Sequence, residues 1–366
     1  MLQFFAKLKY FDLPLQISVL LLSIGGLTIL YSISLSIENT YIFWRQLTFF
    51  GIGIFCFFFF SFFDYHTLTK VNRTVYVFLI LLLIYLLIFG PEIRAGKRWI
   101  SLGLISFQPA ELVKIVIILG LARLLHLRRG QINTFKNMLW SLCYVLLPAI
   151  LIALEPDFGS ALILLGIWAG VLLVSPVKKK FLAIFFVIFL AFSGVAWKYM
   201  LKDFQKDRIK VFLNPQLDLR GSGYSVRQAT IAIGNGRIFG KGLAKGVQSQ
   251  NKFLPERQTD FIFAATAEEI GFIGIVCLLS LYFFVFFRLL KIIRIVKDDL
   301  GMYIVTGTFF FLFLHVLINM GMNVGLLPVT GIPLPLLSAG GSSLLTSLIA
   351  LGVVQNVVLQ SKMLRF

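Results

Sequence analysis

Long apolar runs separated by short polar connections repeat along the whole chain. Ten of these runs are long enough to cross a bilayer, because about 30 Å of hydrocarbon requires roughly 17–25 helical residues. The pattern predicts ten membrane-spanning helices, at about 15–36, 44–63, 74–90, 108–126, 138–154, 159–176, 181–200, 261–288, 302–326 and 341–360. The predicted fold is an all-α polytopic membrane protein, with residues 1–366 forming a single domain.

Composition supports this prediction. Hydrophobic residues make up 58% of the chain and charged residues only 14%, with a mean hydropathy of +0.91. Soluble proteins carry about 25% charged residues, so the composition excludes a water-soluble enzyme, a disulfide-rich secreted domain and a disordered chain. The three cysteines, Cys56, Cys143 and Cys277, lie within apolar runs, so we expect no disulfide.

The net charge of +18 predicts the orientation of the helices in the membrane. The loops on the side of both termini hold seventeen Lys and Arg residues, whereas the short loops on the opposite side hold four. The positive-inside rule therefore predicts cytoplasmic termini. One long external connection, about 201–260, is basic, and its glycine-rich part at 221–242 indicates amphipathic or re-entrant structure rather than a separate domain.

Ionisable residues at or within the spans are candidates for function, because charge is costly in lipid. Glu111 and Lys114 lie three residues apart on one helix face, which is compatible with a structural ion pair and equally with a substrate contact. Arg98 and Trp99 precede the same span and are compatible with either an interfacial anchor or a substrate site.

Two further clusters contain carboxylates. Asp157, in an external turn, is a candidate helix cap or site residue. Asp260 begins the predicted eighth span, where a carboxylate can cap a helix or perform chemistry. Glu268 and Glu269 lie two to three turns deeper, where location in a solvated loop cannot explain their charge.

The segment 323–343 is rich in proline and glycine, yet mostly apolar. Irregular backbone at membrane depth persists only when it is buried in protein or lines a cavity. We therefore expect a cavity lining with the hydroxyl groups of Ser338 and Ser342, although a tight turn is the simpler alternative.

A carboxylate surrounded by cations at the edge of a membrane is suited to glycosyl transfer from a lipid diphosphate. A carboxylate can remove the proton from the attacking hydroxyl, and cations can stabilise the leaving diphosphate. Asp260 fits the first role, and Arg98, Lys114 and the basic external loop fit the second.

Five stretches across almost the whole chain resemble one family. They are KRWISLGLISFQPAELVKI (97–115), EPDFGSAL (155–162), GxGYxxxQAxIAIGxG (221–236), GxxxGxQSQxxFLPExxTDFIFAxxAEEIG (242–271) and GLLPVTGIPLPLLSAGGSS (325–343). In these stretches the chain resembles the SEDS (shape, elongation, division, sporulation) proteins, and their RodA-like branch more than their FtsW-like branch.

The resemblance implies a ten-helix peptidoglycan glycosyltransferase that polymerises lipid II and works with a class B penicillin-binding protein. It places the essential aspartate of the family on Asp260. It also places the family's tryptophan on Trp99, and its basic and acidic positions on Arg98, Glu111 and Lys114. The family usually reads E-x-H-T-D, but here Gln258 replaces the histidine, which leaves the role of base to Asp260.

We predict Asp260 as the catalytic residue. The residues predicted to bind the diphosphate or sugar are Arg45, Arg98, Trp99, Glu111, Lys114, Asp157, Glu256, Thr259, Ser338 and Ser342. No cofactor is required by the sequence, and a divalent cation (Mg²⁺ or Mn²⁺) is left open. Two alternative functions are also left open: a lipid II flippase that uses the intramembrane charges, and a non-catalytic membrane scaffold for a transpeptidase.

Overall fold

The structure is a computed structural model and describes residues 9–37, 40–91, 97–102, 105–128, 134–181, 183–187, 194, 198, 203–214, 218, 221–251 and 253–363. Most of these residues are helical. The long helices are α1 (Leu13–Ile37), α2 (Tyr41–Phe62), α3 (Tyr65–Phe89), α4 (Pro109–Leu127), α5 (Phe135–Leu154), α6 (Phe158–Val174), α10 (Ile262–Ile295), α11 (Asp299–Asn323) and α12 (Gly341–Met363). Three shorter helices precede α10, namely α7 (Asp203–Leu213), α8 (Ser222–Gly236) and α9 (Val247–Gln250).

The helices agree with nine of the ten predicted spans. The predicted seventh span, 181–200, lies mostly outside the described residues, although 183–187 are helical. Within the described residues, seven helices are long and apolar enough to cross a membrane: α1, α2, α3, α5, α10, α11 and α12. The chain is therefore an integral membrane protein.

The third helix begins earlier than the hydrophobic pattern predicts. It starts at Tyr65 rather than near residue 74, after Asp64 accepts hydrogen bonds from the backbone N–H groups of His66 and Thr67. Polar residues interrupt the apolar run here, but they remain helical because they find partners. Asn72, for example, is buried and donates from Nδ2 to the carbonyl oxygen of Val116 at 3.0 Å.

A short β-hairpin precedes α4, which corrects the all-α prediction in this one detail. Strand β1 (Ile100–Leu102) pairs antiparallel with β2 (Ile105–Phe107), and Ile100 lies opposite Phe107. Both strands alternate apolar and polar residues, which is the pattern of a strand with one buried face. The hairpin connects Arg98 and Trp99 to the start of α4.

Helix α12 is the most enclosed membrane helix of the described chain, because 94% of its most apolar stretch is buried. It packs closely against α2 because glycines allow their backbones to approach. A Cβ atom at Gly352 would lie 2.6 Å from the carbonyl oxygen of Phe57, and one at Gly53 would lie 2.4 Å from a methyl group of Leu348. Small residues commonly allow such close packing between membrane helices.

Helix α10 is interrupted at Gly271, whose backbone adopts φ +69° and ψ −171°. The connection that follows α8 lies against this interruption and hydrogen-bonds to it from both sides. Phe272 donates its backbone N–H to the carbonyl oxygen of Arg237 at 2.9 Å. Lys241 donates its backbone N–H to the carbonyl oxygen of Glu268 at 2.9 Å. A broken membrane helix is stable when neighbouring backbone satisfies the freed groups in this way.

Candidate active site

Asp260 lies in a turn directly before α10 and is half-buried. The helix cap is Phe261, and no side chain caps α10, so the capping alternative for Asp260 is not supported. Two asparagines on α11 fix its backbone instead. Asn319 and Asn323 each donate from Nδ2 to the carbonyl oxygen of Asp260 at 2.9 Å. The carboxylate therefore belongs to a backbone segment that is held by α11.

The irregular segment between α11 and α12 packs against the Asp260 turn, whereas the predicted cavity lining stays a prediction. Ser338 is 4% exposed, and its Oγ donates to the carbonyl oxygen of Thr259 at 2.7 Å. Ala339 donates its N–H to the carbonyl oxygen of Gln258 at 2.8 Å. From α2, Gln46 donates to the carbonyl oxygen of Ser338 at 3.1 Å. Backbone and side-chain hydrogen bonds thus hold this segment against the turn.

Asp157 has a structural role at the start of α6. One of its carboxylate oxygens accepts the N–H of Ser160 at 3.0 Å, which confirms the predicted helix cap. The other accepts from Nε2 of Gln108 at 2.9 Å. The N–H of Gln108 in turn donates to Oγ of Ser342 at 3.0 Å. These contacts join the starts of α4, α6 and α12 at one end of the bundle.

A cluster of charged side chains surrounds this end. Arg208 on α7 interacts electrostatically with Arg98, Asp157 and Asp260, and its Nη1 donates to the carbonyl oxygen of Val329 at 3.3 Å. The sequence predicts a basic external loop as a whole and does not single out Arg208. The charged cluster therefore contains both signs, with Arg208 near the Asp260 carboxylate and Arg98 near Arg208 and Glu155.

Glu155 lies beneath the same cluster and is only 1% exposed. Its burial, together with the nearby Asp157, raises the pKa of Glu155 to about 8, and Arg98 opposes this shift. Oε1 of Glu155 and Nε of Arg98 are both buried and find no hydrogen-bond partner among the described residues. A buried polar atom without a partner costs free energy, so both atoms are available to a ligand or to water.

Glu111 and Lys114 form the predicted pair, within a closed group below the surface. Nζ of Lys114 lies 2.6 Å from Oε1 of Glu111 and 3.0 Å from Nε2 of His315 on α11. Lys114 and His315 are fully buried, and Glu111 is 3% exposed. This geometry supports the structural alternative, because both described partners of Lys114 belong to the protein interior.

Glu268 is fully buried within α10 and is bound by the short helix α9. Its two carboxylate oxygens accept the backbone N–H groups of Gln248 and Ser249, each at 2.8 Å. The connection that contains α9 therefore reaches down to α10. The sequence does not predict this contact, because the path of the connection has no signature in hydrophobic periodicity.

Glu269 is likewise bound by protein groups. It accepts hydrogen bonds from Oγ of Ser32 on α1 at 2.7 Å and from Nε2 of Gln250 at 3.0 Å. Arg257, 4% exposed, interacts with it electrostatically; burial lowers the pKa of Arg257 and Glu269 opposes that shift. The two glutamates thus connect the segment between α8 and α10 to α1 and α10.

The remaining predicted residues lie at or near the surface. Glu256 is exposed, and its Oε2 accepts from Oγ1 of Thr259 at 3.0 Å. Trp99 is half-buried at the start of the hairpin, and Arg45 lies over the ring of Tyr41 at 5.8 Å. In the part of the chain that the structure describes, no three His, Cys, Asp or Glu side chains are grouped as metal ligands.

The amino-acid sequence matches one protein family along nearly the entire chain. The model of the FtsW/RodA/SpoVE family, described as "Cell cycle protein", matches residues 13–363. The chain belongs to this family. Its resemblance to the SEDS proteins, which rested on five short stretches, is thereby confirmed.

Curated FtsW/RodA/SpoVE relatives have names that indicate enzymatic activity. The chain is 38% identical to the peptidoglycan glycosyltransferase MrdB of Escherichia coli K12, over 79% of this chain and 78% of the relative. It is 30% identical to the peptidoglycan glycosyltransferase RodA of Treponema pallidum, over 95% and 97% of the two chains. It is also 36% identical to the stage V sporulation protein E of Bacillus subtilis, over 94% and 96%.

Solved structures of the FtsW/RodA/SpoVE family share the fold. One is a chain of a peptidoglycan synthase complex that coordinates polymerization and crosslinking, with a TM-score of 0.81, 28% identity and coverage of 96% and 98%. Another is the rod shape determining protein RodA of Thermus thermophilus, with a TM-score of 0.71, 27% identity and coverage of 95% and 96%.

Proposed function

We propose that this family member, a peptidoglycan glycosyltransferase like its curated relatives, polymerises lipid II into glycan strands. In the proposed reaction, the Asp260 carboxylate removes the proton from the 4-hydroxyl of the acceptor sugar. The hydroxyl oxygen bonds to the anomeric carbon of the donor while the bond from that carbon to phosphate breaks. Attack from the opposite face converts an α-linked donor into a β-1,4 product, and the polyprenyl diphosphate leaves.

The observation that carries this proposal is the position of Asp260. It is half-buried at the end of a membrane bundle, its backbone is fixed by two asparagines, and an arginine from α7 faces it. A positioned carboxylate contributes roughly 10²–10⁴-fold as a general base. Because Gln258 stands two residues earlier, Asp260 has no histidine at that position to share the proton.

We assign the leaving diphosphate to Arg98 and Arg208. Both lie in the charged cluster, and the buried Nε of Arg98 has no described partner. Arginine binds phosphate oxygens through two parallel N–H groups, and such preorganised cations stabilise the charge that develops on a leaving diphosphate. Lys114 is already bonded to Glu111 and His315, so we do not assign it to the diphosphate.

The location and partner of the enzyme follow from the same proposal. The excess of basic residues on the side of the termini supports cytoplasmic termini in a bacterial inner membrane, with the Asp260 end facing outward. The polyprenyl tail of lipid II would lie between membrane helices, and synthesis would serve cell elongation. A solved relative is a chain of a complex that combines polymerization with crosslinking, which supports a class B penicillin-binding protein as partner.

The test compares two Asp→Asn variants of the purified protein with lipid II. We expect Asp260→Asn, nearly isosteric but unable to act as a base, to lose glycan synthesis by at least about 10²-fold. Asp207→Asn is the matched control, because it removes an exposed carboxylate that pairs with Lys210 on α7. Polymerisation at the wild-type rate by Asp260→Asn overturns the proposed role.

Two additions to this assay separate the other possibilities. Comparing chelator with added Mg²⁺ or Mn²⁺ determines whether a divalent cation assists the diphosphate. Placing the protein in liposomes with labelled lipid II distinguishes a flippase, which moves the lipid without producing polymer, from the proposed polymerase.

A further inference from the structure

Helix α11 presents three fully buried polar side chains at one-turn intervals: His315, Asn319 and Asn323, which we call the α11 polar row. Residues four apart lie on the same face of a helix. Burying an amide or an imidazole in an apolar bundle is costly unless it is hydrogen-bonded. The partners of the row therefore indicate what it does.

The two asparagines connect the Asp260 turn to the segment that faces it. Besides its bond to the carbonyl oxygen of Asp260, Asn319 donates from Nδ2 to the carbonyl oxygen of Ile332 at 2.8 Å. Asn323 accepts the N–H of Ala264 on its Oδ1 at 3.1 Å, which fixes the first turn of α10. One helix face thus sets the separation between Asp260 and the backbone at residue 332.

His315 continues the row by one turn. Its Nε2 lies 3.0 Å from Nζ of Lys114, and its Nδ1 lies 3.3 Å from the carbonyl oxygen of Pro333. An ammonium group can only donate, so Nε2 must accept and the proton resides on Nδ1, which donates to Pro333. Glu111 holds Lys114 from the other side at 2.6 Å. The Glu111–Lys114 pair therefore orients the imidazole that holds residue 333.

We propose that the α11 polar row is a positioning device for the reaction, which fixes the Asp260 carboxylate relative to the 331–333 backbone. This inference rests on the proposed role of Asp260 as the base. It assigns Glu111 and Lys114 to supporting the row from below rather than to binding substrate. Misplacing a reacting group by about 1 Å can reduce a rate by about 10²-fold, so small displacements of Asp260 should be measurable.

The first experiment removes the asparagine donors singly and together. We expect Asn319→Ala and Asn323→Ala each to lower kcat for glycan synthesis by about 10-fold, with the KM for lipid II changed less than about twofold. Because both donors serve one carbonyl group, the double variant should lose less than the product of the two single losses. The acidic limb of the kcat–pH profile should also move, since these substitutions change the surroundings of the Asp260 carboxylate.

The matched control is Thr308→Val on the same helix. Thr308 is as buried as the row, but its hydroxyl donates only to the carbonyl oxygen of Ile304 in its own helix. If the row has a merely structural role, its variants would have a lower melting temperature and a lower folded fraction. Their kcat per folded molecule and their pH profile would then match those of Thr308→Val. That result overturns the inference.

The second experiment uses the two conservative replacements of His315. The amide of Asn mimics the Nδ1 side of the ring, and the longer Gln mimics the Nε2 side. Because Pro333 is reached through Nδ1, we expect His315→Asn to retain kcat within about threefold and His315→Gln to lose about 10-fold. The opposite order contradicts the assignment.

These results are distinguishable from a failure of the proposed function. If Asp260→Asn is inactive while all row variants keep wild-type kcat and pH profiles, the positioning role is wrong and the base assignment stands. If Asp260→Asn retains activity, the base assignment fails regardless of the row.

Discussion

Gly331 lies against the carboxylate of Asp260: a Cβ atom added at this glycine would lie 3.5 Å from Oδ2 of Asp260. The backbone at Gly331 has φ +74°, a left-handed conformation that side chains other than glycine rarely adopt. This glycine therefore allows the 331–333 backbone to run beside the carboxylate without a side chain against it.

We expect Gly331→Ala to reduce glycan synthesis more than its cost in stability explains. The chain offers a closely matched control in Gly325, which also has φ +74° and whose added Cβ would lie 3.5 Å from a methyl group of Val226. Both substitutions should cost about 1 kcal/mol in unfolding free energy. Only Gly331→Ala should lower kcat per folded molecule, measured with purified lipid II, and equal rates for the two variants would refute the prediction.

The elements that the sequence predicted best were those that depend on local pattern. Hydrophobic runs identified the helices, the i, i+3 spacing identified the Glu111–Lys114 pair, and the turn before α6 identified Asp157 as a cap. In each case the interaction is formed within a few residues along the chain, so spacing indicated it, although a site role was left open for Asp157, Glu111 and Lys114.

The features that were missed depend on contacts between distant segments. The break at Gly271 lies inside a predicted span, and its partners at 237–242 are about thirty residues away in sequence. His315, Asn319 and Asn323 carried a usable signal, because they are polar residues one turn apart within a predicted span. They were missed because only charged residues within spans were treated as candidates.

Arg208 should act in binding the diphosphate rather than in folding. We expect Arg208→Ala to raise the KM for lipid II by about 10-fold, and Arg208→Lys to recover only part of this loss because an ammonium group lacks the two-pronged geometry. Lys210→Ala, which removes an exposed cation from the same helix, is the control. Steady-state kinetics at two ionic strengths measure the effect, and equal KM values for Arg208→Ala and Lys210→Ala would exclude the assignment.

Glu155 should make stability depend on pH. Its pKa is raised from an ordinary value near 4.5 to about 8 by burial and by Asp157, so the folded state retains a proton that the unfolded state releases. Stability should therefore fall as the pH rises from about 4.5 and reach its full loss above about 8, by on the order of a few kcal/mol.

Glu155→Gln tests this dependence, because it keeps the shape of the side chain and removes the ionisation. Its melting temperature in detergent should exceed that of the wild type at pH 8.5, and the difference should shrink toward pH 5. A difference that is constant with pH would show that Glu155 is not the titrating group. Asp207→Asn, at an exposed carboxylate, should not change the pH dependence in this range.

A substitution of Glu268 distinguishes a structural role of the intramembrane carboxylates from a role in transport. Its two oxygens each accept one backbone N–H, from Gln248 and from Ser249. In Glu268→Gln the amide NH₂ must face one of those N–H donors, which removes a hydrogen bond and leaves a buried donor without a partner. Such a loss costs roughly 1–3 kcal/mol.

We therefore expect Glu268→Gln to lower the melting temperature and the yield of folded protein, while the molecules that fold retain a near-normal kcat. Glu256→Gln, at an exposed glutamate of the segment between α8 and α10, should leave the melting temperature unchanged. A flippase that protonates Glu268 during transport predicts the reverse, namely a stable protein that fails to move labelled lipid II across liposomes. Each oxygen of the Glu268 carboxylate accepts one backbone N–H, so a neutral side chain can no longer satisfy both donors equally well. The geometry therefore favours the structural outcome.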